Sequence, residues 1–196
     1  MAEFAAAEKL ALQTPVGDKA LVPMFYYWYG AAHERLGDTA QAEAKMARCV
    51  ELHPDTHEAL NYLAYTWAEK GIHLDKALEY SVKALQFEPQ DGAYIDTLGW
   101  IYYRSGRFAE ALQELRKAQK LMPDDPTVAE HLGDALHQMN QPAAAVVFWK
   151  RSFRAGPQNA VLAEKLRQAG VDVEALRREV LAGKPPPAAG APDSGK

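Results

Sequence analysis

Residues 92–123 read Gly-Ala-Tyr-Ile-Asp-Thr-Leu-Gly-Trp-Ile-Tyr-Tyr-Arg-Ser-Gly-Arg-Phe-Ala-Glu-Ala-Leu-Gln-Glu-Leu-Arg-Lys-Ala-Gln-Lys-Leu-Met-Pro. Apolar side chains fall at helical spacing in two segments, which Gly106 splits with a turn. Pro123 ends the second segment, because proline lacks an amide donor and restricts the residue before it. Two antiparallel helices are therefore predicted. Gly99, Ala111 and Ala118 let them approach closely, while Leu98, Tyr102, Leu112 and Leu115 fill the space between.

The same wording recurs on both sides. A proline closes a helical run at Pro54, Pro89, Pro123 and Pro157, with spacings of 35, 34 and 34 residues. Leu98-Gly99 corresponds to Leu132-Gly133, and backward to Leu63-Ala64 and Tyr29-Gly30. Turn residues repeat at Gly37, Gly71, Gly106 and Asn140, alanines at Ala42, Ala77, Ala111 and Ala145, and small residues at Cys49, Ala84, Ala118 and Ser152. A hairpin of this size cannot bury its apolar face alone, so a fixed period of this length signals hairpins stacked in succession.

This pattern resembles the tetratricopeptide-repeat family, with four units expected at 23–56, 57–91, 92–125 and 126–159. The resemblance implies an all-α, right-handed superhelical solenoid of helix-turn-helix repeats. Two departures stand out: an extra residue near Ile72-His73, and Pro142 where the family usually places an aromatic. Residues 1–22 read as an N-terminal helix from Glu3 to Leu12, like the second helix of a preceding partial repeat. Ala160 to Gln168 and Val173 to Leu181 read as capping helices within 160–183, with Asp172 a candidate N-cap. The Pro-Ala-Gly run of residues 184–196 has no side chains to build a core and is expected to be disordered.

Composition narrows the possible functions. The 196 residues are 48% hydrophobic and 24% charged with a net charge of -4, so no global positive field draws in nucleic acid or anionic membrane. No apolar run has the 18 or so residues a membrane-spanning helix needs. The single cysteine, Cys49, excludes an intramolecular disulfide or a multi-cysteine metal site within these residues. It fits cytoplasm and periplasm equally. No targeting signal follows Met1, which suggests a trimmed portion of a longer protein.

No catalytic constellation emerges. Phosphate-loop and dinucleotide glycine motifs are absent. His53 and His57 flank Pro54 without the glutamate of a zinc-protease motif, and His131 and His137 point to different sides of a helix. Cys49 occupies a position that wants a small buried residue rather than a nucleophile. The chain is read as a non-enzyme without metal or cofactor.

Binding residues come from the resemblance, in which first helices line a concave groove. Carried over by register, the partner-binding candidates are Tyr27, Glu58, Asn61, Tyr65, Asp96, Trp100, Tyr103, Arg104, Glu130, Asp134 and His137. Tyr27, Tyr65, Trp100 and Tyr103 form an aromatic row of the kind that dominates interfaces. Six acids, Glu34, Glu58, Glu69, Asp96, Glu130 and Asp134, face two bases, Arg35 and Arg104, so the groove is expected to be negative. The chaperone-tail receptors of the family grip a terminal carboxylate with basic residues and asparagine. Here those sites hold Tyr27, Ala31, Tyr62, Ala93 and Thr97, which disfavours that ligand. Arg116, Lys117, Lys120, Lys150, Arg151 and Arg154 suggest a weak basic ridge on second helices.

The expected function is a non-catalytic scaffold or adaptor holding a protein segment with apolar and basic residues in the groove. The alternative is part of a longer array acting in self-assembly, or a bacterial cell-envelope lipoprotein platform for a protease or secretion machine. Self-association is possible, whereas nucleic-acid binding and direct membrane insertion are not expected.

Overall fold

The structure, a computed structural model, describes residues 1–22 and 24–183. The tail expected at 184–196 lies outside the described residues. Among those described, every regular element is helical. They fall into two compact units, Met1–Pro123 and the part beginning at Asp124.

The first unit holds α1 (Ala2–Leu12), a 3-10 turn (Gly17–Ala20), α2 (Phe25–Arg35), α3 (Thr39–Leu52), α4 (His57–Lys70), α5 (Leu74–Phe87), α6 (Gly92–Arg104) and α7 (Phe108–Leu121). Helices α2 and α3, α4 and α5, and α6 and α7 pack as consecutive hairpins. Asp38 and Asp91 start α3 and α6 by accepting hydrogen bonds from backbone amides of the first turn. Gly37, Gly71 and Gly106 turn the chain between helices with φ of 76°, 66° and 74°, which a side chain would strain. The extra residue after Gly71 falls where His73 takes φ 49° at the N-cap position of α5, without a side-chain capping bond and with its ring edge-on to Trp67 at 5.6 Å.

Contact between paired helices depends on small residues. Ala42, Cys49, Ala77, Ala84, Ala111 and Ala118 are fully buried, and a Cβ at Gly99 would stand 2.7 Å from Leu115 Cγ. Leu60, Leu63, Ile101 and Leu115 fill the interior, each contributing about 1.5–3 kcal/mol through burial.

The N-terminal segment is fastened by polar as well as apolar contacts. Phe4 stacks on Tyr29 at 5.1 Å, and Lys45 donates to Glu8 at 2.8 Å. Asp18, in the 3-10 turn, accepts from Arg48 Nε at 2.6 Å, Arg48 Nη2 at 2.8 Å and the Tyr26 hydroxyl at 3.1 Å. These bonds, led by Arg48, hold the Asp18 carboxyl below the usual carboxylate range.

The second unit contains α8 (Pro126–Gln138), α9 (Pro142–Ala155), α10 (Ala160–Gln168) and α11 (Val173–Leu181). Asp125 caps α8, with Pro126 in its first turn, and Asn140 at φ 57° makes the tight turn before α9. Pro142 stands at the start of α9, where its missing amide costs no helical hydrogen bond. Leu162, Leu166, Val173 and Leu176 close the apolar end of this unit. Arg177 ties α11 down by donating to the Pro157 carbonyl at 3.0 Å, with its guanidinium 5.7 Å from the Phe153 ring centre.

Candidate functional site

In the first unit, α2, α4 and α6 carry eight of the eleven candidate residues. Tyr27, Tyr65 and Tyr103, together with Tyr62, sit half-buried at the rim of one core cluster that includes Met46, Leu60, Leu63 and Trp67. Burial first, then the charges of Glu58 and Glu34, push the Tyr27 phenol above its usual value. Tyr62 is raised in the same way by burial and by Glu34, so Glu34 acts on both rings. Asn61, half-buried, next to Tyr62 and the register equivalent of Tyr27, has its Oδ1 shielded from solvent with no hydrogen-bond donor.

Trp100 departs from the expected row. It is 8% exposed, lies flat on Tyr103 at 4.7 Å with 6° between the rings, and donates its indole N–H to Glu69. Arg104 closes over this pair, donating to the Glu69 carbonyl at 2.6 Å with its guanidinium 5.7 Å from the Trp100 ring. Trp100 is thus an internal fastener rather than an open anchor: a large ring gains more from burial than from waiting in water once its N–H has an acceptor. A similar clasp joins α3 to α4, where Glu43 accepts from the Trp67 indole at 2.8 Å and from Lys70. Asp96 is also a correction, since at 5% exposure it is buried rather than lining an open surface.

The second unit holds the remaining candidates. Lys165 of α10 donates to Glu130 at 2.9 Å and to Asp134 at 2.8 Å and 2.9 Å, and the Trp149 indole donates to Asp134 at 2.9 Å. Asp134 is 6% exposed, and burial raises its carboxyl above the usual range despite Lys165. Burial alone would depress Lys165, but Asp134 and Glu130 override it and hold the ammonium above its usual value. The expected open negative face is therefore corrected here: Glu130 and Asp134 are engaged within the unit. His137 is exposed, its ring 5.3 Å from Trp149.

Two residues outside the candidate set complete the first unit's surface. Trp28 is 52% exposed and meets Tyr27 at 4.9 Å with the rings inclined by 67°, and Tyr62 follows Asn61 on α4. Both occupy the register position directly after a chosen one, so the repeat period itself pointed to them. Among the described residues, no group of three or more His, Cys, Asp and Glu side chains converges as a metal site. His57 instead meets the Tyr94 hydroxyl at 2.9 Å and stacks on Phe87 at 5.4 Å. Of the basic ridge, Lys117 pairs with Glu114 at 2.8 Å and Arg154 with Glu179 at 3.6 Å.

Antiparallel helix pairs, glycine turns of left-handed conformation and small residues at fixed contact points define a helical-repeat protein. Its repeats match two family profiles, one described as TPR repeat over residues 99–140 and one as tetratricopeptide repeat over residues 23–66. The chain carries tetratricopeptide repeats, and proteins built from such repeats generally mediate protein–protein interaction.

A TPR repeat-containing protein of Pseudomonas aeruginosa is 40% identical over 101 residues, covering 52% of this chain and 17% of the relative. The type IV pilus assembly protein PilF of the same organism is 30% identical over 134 residues, covering 66% of this chain and 52% of PilF. The matches thus span about half or less of these relatives. The solved structure of PilF superimposes with a TM-score of 0.60 at 24% identity, covering 82% of this chain and 73% of that one. MamA from Desulfovibrio magneticus gives 0.58 at 17% identity, covering 81% and 96%. At such identities the likeness speaks for the fold. No described helix is long and apolar enough to cross a membrane.

Proposed function

We propose that the chain is a non-catalytic scaffold or adaptor with repeat units at 23–56, 57–91, 92–125 and 126–159, and that first helices of the unit Met1–Pro123 hold a segment of another protein. The observation that carries this reading is the aromatic surface of the first unit. Tyr27, Tyr62 and Tyr65 are half-buried on a rigid core, and Trp28 is half-exposed beside them. Rings fixed in this way lose little entropy on binding, and such anchors contribute about 2 kcal/mol or more each at interfaces. Ala31 and Ala93 are small, leaving room between the rings for apolar side chains of the visitor.

A photo-crosslinking residue placed at Ala93, on α6, is expected to capture a protein partner from the source cell, and the same residue at Val82, exposed on α5, is expected not to. Tyr65→Ala should weaken the captured complex by about 30-fold, the equivalent of about 2 kcal/mol. Equal capture from both faces, or unchanged affinity in Tyr65→Ala and Trp28→Ala, overturns this assignment.

A second reading, a longer array or self-assembly, is favoured by α1. Its sequence is apolar nearly all round, a pattern of buried helices, yet Leu10 and Leu12 are 67% and 60% exposed. Sedimentation of the chain at rising concentration tests it: self-association weakened by Leu10→Glu is expected, and a strict monomer, or association indifferent to Leu10→Glu, counts against it. The pilus-assembly role in PilF's name is compatible with either reading for this chain.

A further inference from the structure

Several carboxylates of the first unit are paired with a lysine or arginine, and among the described residues Glu34 and Glu58 are not. Glu8, Asp18, Glu43 and Asp55 each stand within 2.9 Å of a lysine or arginine nitrogen. Glu34 has no such cation among the described residues, and the only basic neighbour of Glu58 at ion-pair distance is the His57 ring at 3.7 Å. Both carboxylates act on the Tyr27 ring, and Glu34 also acts on Tyr62. Arg35 is the one opposing charge felt by Tyr27; it sits exposed on α2. Asn61 adds a shielded carbonyl oxygen with no donor, and Trp28 adds an exposed aromatic wall edge-on to Tyr27.

We propose that Tyr27, Trp28, Glu34, Glu58, Asn61 and Tyr62 form a subsite that receives one arginine side chain of the bound protein segment. This rests on the scaffold reading above and adds a chemical identity to it. A guanidinium is planar and stacks on tyrosine or tryptophan faces, and its five N–H groups match two carboxylates and an amide oxygen. Lysine offers three donors from a point charge and does not stack, so arginine fits better. Every acceptor in the set would gain a donor, including the Asn61 oxygen, whose isolation otherwise costs stability.

N-acetyl-arginine amide, titrated into the full chain and followed by amide and indole NMR shifts, serves as probe. N-acetyl-citrulline amide, its neutral isostere, is the control. Saturable shifts confined to Tyr27, Trp28, Glu34 and residues 58–62 are expected, with citrulline at least about tenfold weaker. Glu34→Gln with Glu58→Gln, both on accessible side chains, should weaken arginine binding by about tenfold or more and leave citrulline unchanged. Equal binding of the two probes, or arginine binding indifferent to the double substitution, overturns the subsite. Crosslinking from Ala93 separates the two levels. Capture that persists while the probe fails to bind removes the arginine subsite and leaves the scaffold reading. Capture lost while the probe still binds supports the subsite and removes the partner assignment.

Discussion

Lys165→Met should destabilise the second unit by about 2–3 kcal/mol. In the wild type the Lys165 ammonium lies 2.8 Å from Asp134 and 2.9 Å from Glu130, and the Asp134 side chain is 8% exposed. Removing one partner of a buried pair strands the other charge at a cost of about 3–5 kcal/mol. Lys165 itself is 27% exposed, so water reaches the pair and the screened figure is lower. Adding Asp134→Asn removes the stranded charge, and the double variant should regain most of the loss, leaving about 1 kcal/mol for the missing hydrogen bonds. The pH dependence has a definite sign. Burial raises the folded pKa of Asp134 above its unfolded value of about 3.9, so its ionisation weakens the fold as pH rises through the folded value. Without Lys165 that rise is greater, and the deficit of the variant should shrink on acidification. Urea unfolding at pH 7 and pH 4, with amide exchange resolved over α8 to α10, reads these quantities. A loss under about 0.5 kcal/mol at pH 7, no rescue by Asp134→Asn, or a deficit that widens in acid refutes the reasoning.

Asp18→Asn should cost about 1–2 kcal/mol and loosen α1, because Arg48 and Tyr26 lose their charged acceptor. The Asp18 contribution exists above its unfolded pKa of about 3.9 and is lost as pH falls through its lowered folded value, so thermal melts of wild type and variant should converge in acid. Gly99→Ala should cost about 1–3 kcal/mol, since the added Cβ would meet Leu115 Cγ at 2.7 Å and Cδ2 at 2.9 Å. Gly156→Ala, with nothing within 4 Å of its Cβ, should be near neutral in the same urea titration. Burial raises the Cys49 thiol, so a disulfide reagent should react with it at the rate of unfolding, not of diffusion.

The hairpins were legible in the sequence because their requirements are local. A left-handed turn needs glycine or asparagine, and Gly37, Gly71, Gly106 and Asn140 supply it at positive φ. A close helix contact needs a small side chain, and Ala42, Ala77, Ala111 and Ala145 are completely buried. Register also told which helix edge each candidate occupies, but not how deep it lies. Trp28 and Trp100 lie three register positions apart in different repeats, close to one helix edge, yet the first is 52% exposed and the second 8%. The difference comes from Tyr103, Arg104 and Glu69, which enclose Trp100, and Glu69 lies 31 residues away in sequence. Lys165 likewise meets its carboxylates 31 and 35 residues upstream, a pairing with no periodic trace.

That difference in depth changes what the charge count means. Six acids against two bases along the first helices suggest an evenly negative surface, but formal charge is not potential. A carboxylate in contact with an ammonium contributes little beyond the Debye length of about 8 Å at physiological salt. Lys165 offsets one of the two charges on Glu130 and Asp134, Asp96 is buried, and Glu69 accepts from the Trp100 indole. Glu34 and Glu58 remain to attract a basic partner through solvent. Association with an arginine-bearing partner peptide should therefore accelerate at low salt through these two residues. Glu34→Gln with Glu58→Gln should flatten the salt dependence of the association rate in stopped flow, whereas Glu130→Gln, whose charge Lys165 partly offsets, should change the slope less. A slope that follows Glu130 instead would mean that the Lys165 contact is open in solution and that the steering field arises in the second unit.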